Sequence, residues 1–370
     1  MRVLIIADPF FATRERTLLS RLEVGLADEG VRVVHAVPDT LPAAMSGEVH
    51  GQVFSKTIRY RPARLRLARR AVAHRMIETL RAMDAESLGQ RPERAIDVVH
   101  VFGGSSWGLG AELANELNAA LALEVWRAGL VEQGASMQTR HGQQTTLFAP
   151  DPAIERSLRA AGATPRVALA PWGVHASELE REILPDGKSR CIVIVGSGRD
   201  ARAFATALEG LARASRQIPD TRIFCDAHAA RRAGLWPLAK KLNITDRFSL
   251  IEEIEARRDI LLHADVLVQP DAHGEQRSIV LDAFAQGMLV VAMLDPMVSV
   301  LTDSKTARLV KSPDATEWAA VVTDVLTRRD ASIKIALQAN EFARTQRRVS
   351  GHVKNVLDAY AAMDVKPAMA

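Results

Sequence analysis

The chain of 370 residues is too long for one ordinary core, which predicts two domains. With 48% hydrophobic and 25% charged residues, the composition excludes a disordered chain. A formal charge of +4 is modest, and no apolar run approaches the roughly 20 residues that span a bilayer. "MRVLIIADPF" reads as a first strand rather than a signal peptide, since it lacks a long apolar segment and a small-residue cleavage site. A helix follows in "ERTLLSRLEVGLADEG", with Leu18, Leu22 and Leu26 at helical spacing and Gly30 as its stop. "VRVVHAV", "DVVHVFG" and "ALEVWRAG" are further strands, the last two separated by the helical "GAELANELNAAL". Strand and helix in alternation predict a doubly wound parallel sheet.

The pattern restarts at "RCIVIVGSGRD". The helix "ARAFATALEGLARASRQ", strand "TRIFCDA", helix "GLWPLAKKLN", a short strand near "FSLIE", one helix over "IEARRDILLHA" and strand "DVLVQP" come next. After a loop, a helix that begins beside Asp282 runs to a Gly and the strand "LVVAM", with helical segments to the end. The segment "LAPWGVHASELEREILPDGKSR", rich in Pro, Gly and charge, reads as the linker between halves. Cys191 and Cys225 lie in strand-like runs without metal-ligand spacing, so both are expected to be buried, reduced thiols of a cytoplasmic protein.

"IVIVGSGRDAR" places Gly196, Ser197 and Gly198 between a strand and a helix. Small residues let the backbone approach a phosphate, and free amides at a helix start attract anions. Arg199 and Arg202 add positive charge at that mouth. Gly196, Gly198 and Ala201 also fit the G-x-G-x-x-A fingerprint of nicotinamide oxidoreductases. In such enzymes an acidic residue follows about 20 positions on, whereas Asp226 comes later because the intervening helix is long. A plain turn that binds nothing is the third reading.

The C-terminal half resembles the donor-binding domain of retaining GT-B glycosyltransferases, specifically glycosyltransferase family 4. The resemblance is carried in order by "RVALAPWGVH", "VGSGRDAR", "LNITDRFSLI", "RRDILLHADVLVQP", "VLDAFAQGMLVVA" and "DSKTARLVKSPDATEWAAVV". The closing "VSGHVKNVLDAYAAM" resembles the helix that crosses back onto the first domain, and "MRVLIIAD", "LADEGVRVV" and "DVVHVFGGSSWGLGAELA" resemble the N-terminal half more loosely. The resemblance implies two Rossmann-like doubly wound domains facing across a cleft. The acceptor domain would span residues 1–172 with the helix 350–370, and the donor domain 173–349. It implies transfer of a sugar from a nucleoside-diphosphate sugar to an acceptor, with retention and without a metal or other cofactor.

Residue by residue, Asp282 stands at the second of the family's two Glu positions, which binds the donor ribose. Gly274 stands at the first, with Glu275 one residue beyond it and His273 beside it, so Glu275 and His273 are the candidates near the donor sugar. Arg199 matches the Arg of the phosphate site, and Arg202 stands in for its Lys partner. On the acceptor side the family's glycine pair after the first strand is replaced by "DPFFATRERT", which carries Arg14 and Arg16. Gly103 and Gly104 offer another small-residue loop, and Arg127-Ala128-Gly129 replaces the segment where a His often stands.

The stretch "SKTIRYRPARLRLARRAVAHRMIETLRAM" projects Leu65, Val72, Met76, Leu80 and Met83 onto one helical face, flanked by Arg64, Arg66, Arg70 and Arg75. Such flanking suits an anionic membrane surface. A helix packing its apolar face on the sheet is the alternative. Nucleic acid is not expected, because Tyr60 is the lone aromatic of the stretch and no binding motif is present. The lost family residues at Gly274 and Ala128 favour a second functional reading, a non-catalytic glycosyltransferase-like binding or scaffold protein.

Overall fold

The computed structural model describes residues 1–40, 56–63, 65–86, 96–141, 145–163 and 166–363. Two compact units divide the chain, Met1–Trp172 with the stretch from Val349 onward, and Gly173–Arg348.

In the first unit, β1 (Arg2–Ala7) is apolar from Val3 onward and wholly buried, as a parallel strand covered on both faces must be. α1 (Pro9–Arg14) and α2 (Arg16–Asp28) follow, then β2 (Arg32–Pro38) and β3 (Lys56–Tyr60). α3 (Arg66–Glu86) leads to β4 (Val98–Phe102), α4 (Trp107–Leu117), β5 (Ala120–Glu124), α5 (Val131–His141), β6 (Thr145–Ala149), α6 (Pro152–Ala160) and β7 (Val167–Leu169). The sheet is parallel throughout in the order β3-β2-β1-β4-β5-β6-β7. The order reverses between β1 and β4, so their carboxyl ends flank the crevice where doubly wound sheets hold ligands.

The second unit repeats the plan. β8 (Arg190–Ile194), α7 (Ala201–Gln217), β9 (Thr221–Asp226), α8 (Ala227–Ala233), α9 (Leu235–Lys241) and β10 (Phe248–Ile251) build one wing. α10 (Ile254–Arg257), β11 (Val266–Gln269), α11 (Ser278–Ala285), β12 (Leu289–Met293), β13 (Arg308–Val310), α12 (Ala315–Thr327) and α13 (Arg329–Gln346) complete the other. Its parallel sheet runs β10-β9-β8-β11-β12-β13, with the reversal between β8 and β11. α7 and α12 pack together where Gly210 approaches Trp318 too closely for any side chain. Finally α14 (Val349–Ala361) returns to the first unit and lies on α2, with Val353 over Gly25.

Three expectations are corrected. The helix expected over "IEARRDILLHA" is broken: Arg258 adopts φ +58 between α10 and a 3-10 turn at Asp259–Leu262. Its guanidinium turns inward to bonds that a continuous helix would not reach. Asp282 does not start its helix; α11 begins at Ser278, a full turn earlier. Cys225 is buried as expected, but Cys191 is only partly so, and both thiols are free.

The basic stretch also divides differently. Its first part is the edge strand β3, with Ile58 and Tyr60 turned inward, and α3 begins only at Arg66. Met76 and Leu80 pack inward with Ala73 and Ile77, while Leu65 is 76% and Leu67 80% exposed, so Leu65 leaves the expected apolar face. Arg66, Arg70 and Arg75 are exposed, the first two beside Glu112, and Arg64 lies outside the described residues. No described helix is long and apolar enough to cross a membrane.

Candidate functional site at the carboxyl end of the second sheet

At the strand-order reversal of the second unit, the turn after β8 meets the loop after β11. Gly196 has φ +133, and a Cβ there would lie 2.8 Å from both Asp271 Oδ1 and Phe204 Cζ. Gly198 has φ +65, and a Cβ there would lie 2.5 Å from the Ala229 carbonyl oxygen. Both positions therefore require glycine, because conformation and space forbid a side chain together. Asp200 caps the following helix by accepting from the Ala203 amide at 2.9 Å.

The amides of this turn were expected to face a phosphate. They already hold carboxylates of the chain itself. The Gly196 amide donates to Glu255 Oε1 at 2.9 Å, and the Ser197 amide and hydroxyl reach Asp271 Oδ2 at 3.3 and 3.1 Å. Arg277, only 3% exposed in its side chain, donates to Glu255 and approaches Glu275 at 3.4 Å. Glu275 in turn lies 3.9 Å from Arg199 Nη1. Arg258 binds Asp282, donates to Ser278 Oγ at 2.8 Å, and reaches the Glu255 carbonyl at 2.9 Å. Burial raises the Asp271 carboxyl above its ordinary range; Arg277 pulls it down and Glu275 pushes it up further.

The structure thus brings Gly196, Ser197, Gly198, Arg199, Glu275 and Asp282 into one network. Asp282 is buried and engaged by Arg258, and Glu275 points at arginines rather than at solvent. His273 is exposed at the rim with Nε2 3.9 Å from Asp200 Oδ2, and Arg202 is exposed on the first turn of α7. Gly274, at the family's first Glu position, has φ +64 and donates its amide to Asp295 at 2.6 Å. Asp226 caps α8 by accepting from the Ala229 amide at 3.0 Å, so the acidic residue sought for a nicotinamide ribose has a structural task. Sequence reasoning missed Glu255, Arg258, Asp271 and Arg277. The charged pair in "EARRD" and the Asp closing "VQPD" were visible, but nothing local links residues that stand up to 74 positions apart.

The first unit has a matching arrangement at its own reversal. Gly103 (φ +97) passes so close to Asp8 that a Cβ would lie 2.1 Å from its carboxyl carbon. Asp8 accepts from the Phe11 amide at 2.8 Å and the Ser105 hydroxyl at 2.8 Å, and Gly104 begins a 3-10 turn. Arg14 lies 5.0 Å over the Phe10 ring, Phe10 stacks on Trp126 at 5.3 Å, and Arg127 lies 5.4 Å over Trp126. Arg14 and Arg127, 113 residues apart by their numbers, thus bracket one aromatic stack. Among the described residues no group of His, Cys, Asp and Glu is arranged to hold a metal ion.

No protein-family model matches the chain, and no curated protein matches it in sequence. Solved structures match it over nearly its whole length. Anabaena HepE, solved in complex with UDP and glucose, is 10% identical, with 98% of this chain and 100% of that one covered at a TM-score of 0.72. Sucrose-phosphate synthase from Thermosynechococcus elongatus is 16% identical, with 98% of each chain covered at 0.73. A protein from Listeria monocytogenes assigned as a UDP-N-acetylglucosamine 2-epimerase is 14% identical, covering 98% and 96% at 0.63. Identities this low establish the architecture alone, and that architecture hosts more than one chemistry. In fold the chain is a GT-B protein, built on the plan of the GT-B glycosyltransferases.

Proposed function

We propose that the protein is a glycosyltransferase that moves a sugar from a nucleoside-diphosphate sugar to an acceptor, with retention and without a metal. The observation that carries this reading is the Gly196-Ser197-Gly198 turn at the strand-order reversal, with the cations Arg199 and Arg202 at its exposed mouth. Departure of a nucleoside diphosphate leaves negative charge on its phosphates while the anomeric carbon turns positive. Fixed positive charge at the phosphates is the main lever, worth about 2.7–4 kcal/mol per donor group. Arg199 and Arg202 supply it from the rim. Glu275 and His273 flank the sugar side, and Asp282 the ribose side. UDP and UDP-glucose in HepE support a nucleotide-sugar donor by analogy of fold.

The first unit would carry the acceptor, with the Gly103-Gly104 turn and the Arg14–Arg127 aromatic stack as its lining. Exposed Arg66, Arg70 and Arg75, with Leu65 and Leu67, suit an anionic membrane that presents such an acceptor.

Calorimetric titration with UDP, GDP and ADP tests the donor site. Binding of one of them, weakened roughly tenfold or more in Arg199→Ala, is the expected result. Absence of binding by all three to folded protein removes the reading. A second reading, a nucleotide-binding scaffold without turnover, is favoured by the carboxylates that occupy the turn amides. Binding without transfer across a donor and acceptor panel would select it.

A further inference from the structure

Among the described residues, four buried carboxyls gather around the glycine turn, and arginines bind or approach three of them, Glu255, Glu275 and Asp282. A carboxylate that occupies the donors of the turn repels the diphosphate that those donors would otherwise attract. Asp271 is the carboxyl in that position. Arg258 and Arg277 hydrogen-bond Asp282 and Glu255, whereas Asp271 is tied to the amide and hydroxyl of Ser197. It is 5% exposed, stands two residues past the end of β11 across the reversal, and has Oδ1 2.8 Å from where a Gly196 Cβ would be.

We propose that Asp271 is an internal competitor for the donor's diphosphate, and that the nucleotide binds only when Asp271 has lost its negative charge by taking a proton from solvent. The proposal rests on the donor reading above and adds its regulation. With the proton on, the carboxyl is a weaker acceptor and carries a donor of its own, so the Ser197 amide and hydroxyl become available to a phosphate oxygen. The same proton removes the negative charge that would face the phosphate. The groups facing Asp271 are the Ser197 amide and hydroxyl and the Gly196 backbone from the β8 turn, with Arg277 and Glu275 from the loop before α11. Beyond these, Glu255 from α10 holds the Gly196 amide, Arg199 approaches Glu275, and the His273–Asp200 pair sits at the rim. The burial that raises the Asp271 carboxyl places its proton uptake nearer neutrality than an ordinary Asp, in the direction this coupling requires.

The probe is the nucleoside diphosphate selected by titration, measured on the full chain and on Asp271→Asn across pH. Asparagine keeps the shape and removes the charge. At mildly alkaline pH the variant is expected to bind about tenfold more tightly than the unaltered protein, with the gap closing as pH falls. Because the diphosphate itself titrates near neutrality, the difference between the two proteins is the quantity read. A second measurement needs no variant. Titration of the unaltered protein at mildly alkaline pH, in buffers of different ionisation heat, is expected to show net proton uptake on binding. Equal affinity of the two proteins at every pH, weaker binding by the variant, or zero proton uptake would overturn the proposal while leaving the donor reading intact. Failure of both proteins to bind any nucleotide would overturn the two together.

Discussion

Two His–Glu contacts in the first unit, fully buried at His100 and partly exposed at His35, shape its response to pH. His100 shares its Nδ1 with the Tyr360 hydroxyl at 2.6 Å, and its Nε2 lies 3.5 Å from Glu124, whose other oxygen accepts from the Trp172 indole at 2.7 Å. His35 lies 3.6 Å from Glu23 in the same manner. Burial raises Glu124 to about 8 and Glu23 to about 7, and it lowers His100 to about 3 and His35 to about 4. His352, also buried, falls to about 3 with His100 as a further cause. All five groups are therefore neutral in the folded unit near pH 6. The carboxyls favour the fold below their ordinary value of 4.5, and that contribution is lost as pH rises through 7 to 8. The imidazoles favour it above their ordinary 6.5, and that contribution is lost as pH falls through 4 to 3. Stability of this unit should peak near pH 6.5, where the two slopes meet. Glu124→Gln keeps an acceptor for Trp172 and a donor for His100 without a titrating proton. Urea midpoints across pH should show the alkaline limb flattened in the variant, the optimum moved upward and the limb below pH 4.5 unchanged; an unaltered alkaline limb would contradict the assignment.

At the scale of elements, the seat of α11 depends on a residue outside it. Arg258, held at φ +58 where the chain leaves α10, is buried against Asp282 and Ser278 of that helix, 24 and 20 positions on. Arg258→Ala removes the guanidinium that binds the buried Asp282 carboxylate, a loss of about 3–5 kcal/mol. The double replacement Arg258→Met with Asp282→Leu exchanges the pair for apolar packing of similar volume and should recover most of that loss. Chemical denaturation of the single and double variants checks both. This pairing also marks what the sequence could reveal. Strands such as "RVLIIAD" and "DVLVQP", and helices such as Ala201–Gln217, follow from short-range apolar runs and periodicity, and they stand where those patterns put them. The glycines of the β8 turn were legible too, since a strand-to-helix turn of small residues has few other reasons to exist. The break at Arg258 was not, because its cause is a buried carboxylate on another element. The occupied turn amides were hidden for the same reason. Glu255 and Asp271 meet the glycine turn only once β8 and β11 lie side by side. β3 was not legible because its Lys and Arg mask the alternation of Ile58 and Tyr60, the pattern of an edge strand with one face buried.

On the scale of the whole molecule, the two units differ in how the chain supplies them. The second is drawn from one continuous stretch, Gly173–Arg348, whose core of Phe204, Phe248, Trp318 and the strands around them is complete within it. The first borrows its last helix from the far end of the chain. α14 buries Val349, His352, Val353, Val356 and Tyr360, and the Tyr360 hydroxyl ties it to His100 at the centre of the sheet. Removing the helix uncovers Phe148, against which the Tyr360 ring packs edge-on, and strips the partner from a buried imidazole. Loss of one large buried aromatic already costs about 3–5 kcal/mol, a large part of the stability of an ordinary domain. Truncation after Arg348 should therefore unfold the first unit and spare the second. Hydrogen exchange resolved by peptide is the direct check: rapid exchange through β1, β4 and β5 with retained protection in β8, β9 and β11 is expected. Uniform protection, or uniform loss across both sheets, would mean that α14 does not hold the first unit through Tyr360 and its neighbours. Supplying residues 349–363 as a separate peptide should restore protection to the first sheet, because α14 seats against α2 and β7, which both belong to that unit.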